Sequence, residues 1–177
     1  IIAKDYAIDA ARKALEDCVK RNELDGKVRV VQQQYLRLER KIIHSVKWPK
    51  ASIVISFKDN ALHLQRCLQS LREKTRFKEF EVILVDNGST DPAIIEILEL
   101  EHNRSNQRVL SCGEALSFSA ASNFAAREAR GECLVFLDAC LEILEGNWLG
   151  ELLSHSLRKE IGAVGAKLLY SDGAIWH

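Results

Sequence analysis

Apolar residues along this chain keep two different rhythms. From Ala3 to about Arg21, Ala7, Ala11, Ala14, Leu15 and Cys18 recur at three- and four-residue steps with Arg and Lys scattered between them, which predicts an amphipathic helix. Asp25-Gly26 is a turn signal that closes this region. Val28, Val30 and Val31, then Tyr35, Leu36 and Leu38 among charges, predict two short strands, the second alternating.

The rhythm changes at Ala51. Ser52 to Ser56 is a short β-branched run of the kind that forms a strand buried on both faces. Leu64, Cys67, Leu68 and Leu71 then follow helical spacing, and Phe80 to Val85 is a second buried strand ending at Asp86. Asp91 and Pro92 stand where an N-cap and first helical residue belong, with Ile94, Ile95 and Leu98 as the expected buried stripe. A short strand is expected near Val109-Leu110, and a helix from about Ser119 to Arg130, stopped by Gly131 at the C′ position. Cys133 to Leu137 reads as a third strongly apolar strand, ending at Asp138. A helix near Trp148 to Leu157, a strand from Gly162 to Tyr170 and a Ser171-Asp172-Gly173 turn into Ala174-Ile175-Trp176 complete the pattern. The βαβα order implies an α/β fold with a doubly wound, mainly parallel sheet, preceded by a small N-terminal helix-plus-strands segment. The expected division is residues 1–49 as accessory segment and 50–177 as sheet domain.

Composition narrows the function. The formal net charge is zero, with 25 Lys/Arg against 25 Asp/Glu, 47% of residues are hydrophobic, and there are only 2 Pro and 9 Gly. This argues against a nucleic-acid sheath and against a disordered linker. Neutrality hides a split, because residues 1–50 hold 12 basic and 7 acidic residues and residues 51–177 hold 13 and 18. The basic run Arg37, Arg40, Lys41, Lys47 and Lys50 suits a phosphate- or membrane-facing patch, or the commoner solvated strand face. Five cysteines at irregular spacing, without a CxxC pair, are expected as reduced thiols in a cytosolic protein rather than as disulfides or structural zinc ligands. No run is long and apolar enough to span a bilayer, and the first residues lack the order of a signal peptide. The lack of Met and the apolar first residue lead to the expectation of a piece of a longer polypeptide.

In open α/β sheets ligands bind beyond the carboxyl ends of the strands. Three strands end there in polar residues: Ser56-Phe57-Lys58-Asp59, Asp86-Asn87-Gly88-Ser89 and Asp138-Ala139-Cys140. Each acid alone reads equally well as a helix cap or turn former; their convergence is what points to a site. No GxGxxG follows the first strand and no GxxxxGK[ST] occurs, so neither a dinucleotide fingerprint nor a P-loop handles phosphate here. A carboxylate at a strand end can hold a divalent cation that neutralises a diphosphate, which makes Asp138 the candidate for that role. Asp86 suits hydrogen bonding to a base edge or ribose.

These blocks resemble a known family. SIVISFKDNALHLQRCLQSLREKT, FEVILVDNGSTDP, FSAASNFAAREARGECLVFLDACLEI and VGAKLLYSDGAIWH are similar, in order, to the nucleotide-binding N-terminal half of family 2 glycosyltransferases of the GT-A fold, including bacterial polysaccharide-building members. The resemblance runs from about Lys50 to His177. It implies an inverting transferase of hexosyl or related groups that uses a nucleotide-diphosphate sugar, a divalent cation (Mn²⁺ or Mg²⁺) and a glycan or lipid-linked acceptor. It implies nucleotide-sugar contacts for Ser56, Lys58, Asp86, Asn123 and Asp138, metal contact for Asp138 and Cys140, and a general base beyond His177. Cys140 departs from the family pattern, where an Asp is usual; a thiolate is softer than Mg²⁺ prefers. The alternative is a non-catalytic nucleotide-binding or assembly module with a degenerate metal motif. The expected location is cytoplasmic, with peripheral association at the inner face of a membrane as an alternative; no nucleic-acid partner is expected. A nucleotidyltransferase is disfavoured because Ser56-Phe57-Lys58-Asp59-Asn60 contains no Gly.

Overall fold

The structure, a computed structural model, describes residues 5–21, 27–32, 38–43, 48–113 and 116–176. The Asp25-Gly26 turn, Tyr35, Leu36, Arg37, Lys47 and His177 lie outside the described residues. The chain divides into two compact units, one of them Trp48–Leu153.

The other unit contains the N-terminal elements and the segment from Ser154 onward. Helix α1 (Asp5–Arg21) carries Lys20 and Arg21 in its last turn, where cations favour the helix dipole. Strands β1 (Lys27–Gln32) and β2 (Leu38–Ile43) form an antiparallel pair with Lys27 opposite Ile43. No strand spans Gly162 to Tyr170. The segment carries one isolated antiparallel bridge, Leu169 to Ile175, closed by the expected Ser171-Asp172-Gly173 turn. Gly173 there has φ +85°, a conformation that favours glycine, and Asp172 Oδ1 accepts the Ala174 N–H. The expected strand fails for want of pairing: Gly162 and Gly165 interrupt the run, and the isolated bridge begins only at Leu169.

The sheet unit has four parallel strands in the order β5-β4-β3-β6: β3 (Ala51–Phe57), β4 (Phe80–Asp86), β5 (Gln107–Ser111) and β6 (Cys133–Asp138). The order reverses at β3, so the sheet is doubly wound. Helices α2 (Ala61–Lys74), α3 (Pro92–His102), α4 (Phe118–Glu128) and α5 (Trp148–Ser156) connect or follow the strands. One face buries Ile53, Ile55, Val82 and Leu84 against Leu64, Cys67, Leu68, Leu71 and Ile94. The other buries Val54, Ile83 and Val85 against Ala121 and Ala125 of α4, whose small side chains let the helix lie close to the sheet.

Three details differ from the sequence expectation. Ile95 is exposed, leaving Ile94, Ile97 and Leu98 as the packed side of α3. Helix α4 ends at Glu128 with an extended Ala129 as its C-cap, and Gly131 has no positive φ. Glycine is needed there for a different reason: a Cβ would stand 2.6 Å from the Ser52 amide nitrogen and 2.8 Å from the Lys50 carbonyl oxygen. Among the described strands β6 is an edge, and Leu134 and Phe136 are exposed on it while Leu137 is buried.

Candidate functional site

The carboxyl ends of the strands present the predicted residues in two rows. Ser56 is in register with Val85 on one side and Asp138 on the other; Phe57 is in register with Asp86, and Asp86 with Ser111. Asp86 and Asp138 therefore flank the end of β3, on backbones about 10 Å apart at ~4.8 Å per strand. Asp86 and Ser56 are half-buried, and Lys58, Asp138 and Cys140 are exposed.

Hydrogen bonds brace the three loops. After β4, Asp86 Oδ1 accepts the Ser89 N–H (2.9 Å), and Gly88 takes φ +80° to make the turn. Asp59 Oδ1 accepts from the amides of Thr90 (2.6 Å) and Asp91 (2.9 Å), while its own N–H donates to Ser89 Oγ (2.9 Å). These amide donors hold the Asp59 carboxyl below the usual carboxylate range. Asn87 pairs its side-chain amide with the Leu116 backbone, Nδ2 donating to the carbonyl and Oδ1 accepting the N–H, both at 2.7 Å. Asp91 caps α3 by accepting from Ala93 N, with Pro92 at the first helical position as the sequence predicts.

The loop after β6 is anchored to α2. Asp138 Oδ1 accepts the Cys140 N–H (2.9 Å), the Asp138 carbonyl accepts from Leu141, and Ile143 N donates to Ser70 Oγ (2.9 Å). Cys67 lies beneath, its Sγ 3.9 Å from the Asp138 carbonyl, and burial pushes its thiol up to about 12. The Cys140 thiol is also raised, by burial first and then by hydrogen bonding and proximity to Asp138.

Asn123 lies on the exposed side of α4, and among the described residues no hydrogen bond ties it to Asp86 or Asp138. Asn87 and Ser89 hold the loops together, and sequence reasoning does not single them out. Their signal is the density of turn formers in Asp86-Asn87-Gly88-Ser89-Thr90-Asp91. Among the described residues no group of three or more His, Cys, Asp or Glu side chains is arranged to hold a metal ion. The exposed Asp138 carboxylate is nevertheless a hard oxygen donor, fit to share a divalent cation with phosphate oxygens.

A doubly wound parallel sheet with acids at the ends of two strands is an α/β architecture of the kind that binds ligands at the strand carboxyl ends. The chain belongs to glycosyl transferase family 2, whose family model matches residues 52–176. The O-antigen biosynthesis protein RfbC of Myxococcus xanthus is 40% identical over 129 residues, 73% of this chain and 10% of that protein. S. aureus TarS, solved with UDP-GlcNAc, superposes with a TM-score of 0.50 at 28% identity, over 57% of this chain and 29% of its own. The Pyrobaculum calidifontis mannosyltransferase PcManGT, solved with GDP-Man and Mn²⁺, shares the fold, with a TM-score of 0.59 at 18% identity over 89% of this chain and 44% of its own. The chain thus spans about a tenth of the curated relative and less than half of either solved chain. Among the described residues no helix is long and apolar enough to cross a membrane.

Proposed function

We propose that residues 50–177 are the donor-binding half of an inverting glycosyltransferase that moves a sugar from a nucleotide diphosphate to a glycan or lipid-linked acceptor in polysaccharide assembly. The family match over residues 52–176 carries this reading. The sheet-edge geometry supports it, because Asp86 and Asp138 flank the end of β3. The TarS structure with UDP-GlcNAc and the RfbC relative support the donor class and the polysaccharide setting.

In this reading Asp86 accepts hydrogen bonds from the base or ribose. Ser56 and Lys58 line the nucleotide pocket, with Asn123 on the helix above it. Asp138 would hold the ribose hydroxyl and a divalent cation, Mn²⁺ or Mg²⁺. Such a cation neutralises charge on the departing diphosphate. Cys140 serves chiefly through its backbone N–H, which orients the Asp138 carboxylate.

The test is calorimetric titration with UDP, dTDP and GDP, with and without Mn²⁺, of the wild-type chain, Asp86→Ala and Asp138→Ala. One nucleotide should bind with cation-dependent heat. Asp86→Ala should weaken it by about tenfold or more, and Asp138→Ala should remove the cation dependence. Equal weak responses from all three proteins would sink the proposal.

A further inference from the structure

We propose that Asp59 and Asn87 are positioning residues that hold the Asp86–Asp91 loop from its two sides, so that the first three sheet-edge loops act as one preorganised nucleotide platform. The assignment rests on the donor-site reading above and names residues that act through the loop rather than by touching the ligand.

The first observation is backbone conformation. Asp59 and Asn60 are the only non-glycine residues among those described with positive φ, +54° and +58°. Two consecutive left-handed residues are unfavourable for side chains with a Cβ, although Asp and Asn tolerate the region best. The surroundings must therefore favour the turn. They do so across a separation of 30 to 32 residues in sequence, through the Asp59 N–H donated to Ser89 Oγ and the Thr90 and Asp91 amides accepted by the Asp59 carboxylate. The turn also delivers the Asn60 carbonyl to the amides of His63 and Leu64 at the start of α2.

The second observation lies on the other side of the same loop. The paired bonds between the Asn87 side chain and the Leu116 backbone substitute for a strand ladder where β4 and β5 have already parted. They set the path into Ser117, whose hydroxyl caps α4 by accepting from Ala120. Between the two braces lie Asp86 and its own turn to Ser89. Loops at ligand sites are commonly the least ordered part of a fold. Here the side chains of Asp59, Asp86, Asn87 and Ser89 all bond to the backbone of these loops, which lowers the ordering cost of binding.

The experiment measures nucleotide affinity by calorimetry for Asp59→Ala, Asp59→Asn, Asn87→Ala and the double alanine variant, alongside thermal unfolding and amide hydrogen exchange at Thr90 and Asp91. Asp59→Ala and Asn87→Ala should each weaken binding about tenfold. Asp59→Asn should stay within about threefold of wild type, because its amide oxygen can accept the same two N–H bonds. The double variant should fall short of the hundredfold product, because both changes loosen one loop. Exchange at Thr90 and Asp91 should accelerate in Asp59→Ala and not in Asp59→Asn. Unchanged affinity in Asp59→Ala, or equal losses in the Ala and Asn variants, overturns the assignment while leaving the donor site standing. A wild-type chain that binds none of the nucleotides overturns the donor-site reading first, and this one with it. Should Asp59→Ala fail to fold, Asn87→Ala and Asp59→Asn still decide the matter.

Discussion

Glu81 offers the sharpest test of how the sheet is held together. It is 5% exposed, at the start of β4, and its Oε1 accepts both the Ser52 hydroxyl (2.7 Å) and the Arg130 N–H (2.7 Å). Its other oxygen lies 3.3 Å from Arg108 Nη2, which also donates to the Glu128 carbonyl. Ser52 Oγ in turn accepts the Gly131 N–H (2.8 Å), so one carboxylate ties β3, β4, β5 and the exit of α4 together. Glu81→Gln keeps the shape and the first oxygen but turns an NH₂ donor toward the Arg108 guanidinium. Removing one partner of a buried ion pair costs about 3–5 kcal/mol. Arg108 is 23% exposed and retains Glu128, so the expected loss is about 2–3 kcal/mol.

The pH dependence gives the same prediction a second handle. Burial raises the Glu81 carboxyl, but the bonds from Ser52 and Arg130 and the charges of Arg108 and Lys50 outweigh it and leave it below its usual value. A depressed carboxyl stabilises the fold above its unfolded-state value, and this is lost as pH falls through the folded-state value. Urea unfolding should be followed by Trp fluorescence in a Trp176→Phe background, which restricts the signal to Trp48 and Trp148 of the sheet unit. The gap between wild type and Glu81→Gln should be full at pH 7 and should narrow as the pH is lowered through and below the ordinary carboxylate range. A gap absent at pH 7, or equally large in acid, would refute the reasoning.

Gly131→Ala should lower stability by about 2–3 kcal/mol, because its Cβ meets backbone atoms at 2.6 to 2.8 Å that cannot give way like a side-chain end; thermal unfolding measures it. Leu137→Ala should cost about 3 kcal/mol and its neighbour Phe136→Ser less than about 1 kcal/mol, since one is 7% and the other 50% exposed on the same edge strand. At pH 7 a maleimide should label the exposed Cys140 well before Cys67, which is buried and pushed up to about 12; peptide mass spectrometry after partial labelling reads the order.

Much of the fold is legible because period and punctuation agree. The buried runs of β3 and β4, the α2 stripe and the Asp91-Pro92 start of α3 sit where the apolar spacing and cap residues put them. The misreadings share a physical cause. An apolar run reports what could be buried, whereas burial depends on a neighbour, and β6 as an edge leaves Leu134 and Phe136 exposed. The stretch from Gly162 to Tyr170 likewise holds Val164, Leu168 and Leu169 but has only one bridge to pair with. Gly131 reads in sequence as a turn conformation, whereas the constraint is space, which only the approach of β3 reveals. Of the site, the strand-end acids are legible, but the bracing by Asp59 and Asn87 is not. It joins residues some 30 positions apart, and no local pattern encodes it.

The same bonds change what a strand-end acid means. In sequence, each of Asp59, Asp86 and Asp138 reads as either a turn former or a functional carboxylate. In the structure all three accept backbone amides through Oδ1, from Thr90 and Asp91, from Ser89 and from Cys140 respectively. A carboxylate has two oxygens and about four acceptor positions, so a bond to the backbone orients it without exhausting it. The two roles are then successive uses of one group. Asp59 has both its bonds within the scaffold and belongs to the platform. Asp138, exposed and held through one short turn, keeps the acceptor capacity that a hydroxyl or cation requires. On this logic Cys140→Ala, which preserves the N–H to Asp138, should bind nucleotide and Mn²⁺ within about threefold of wild type. Cys140→Pro removes that N–H and should lose most of the affinity. Equal losses from the two would make the thiol itself the ligand.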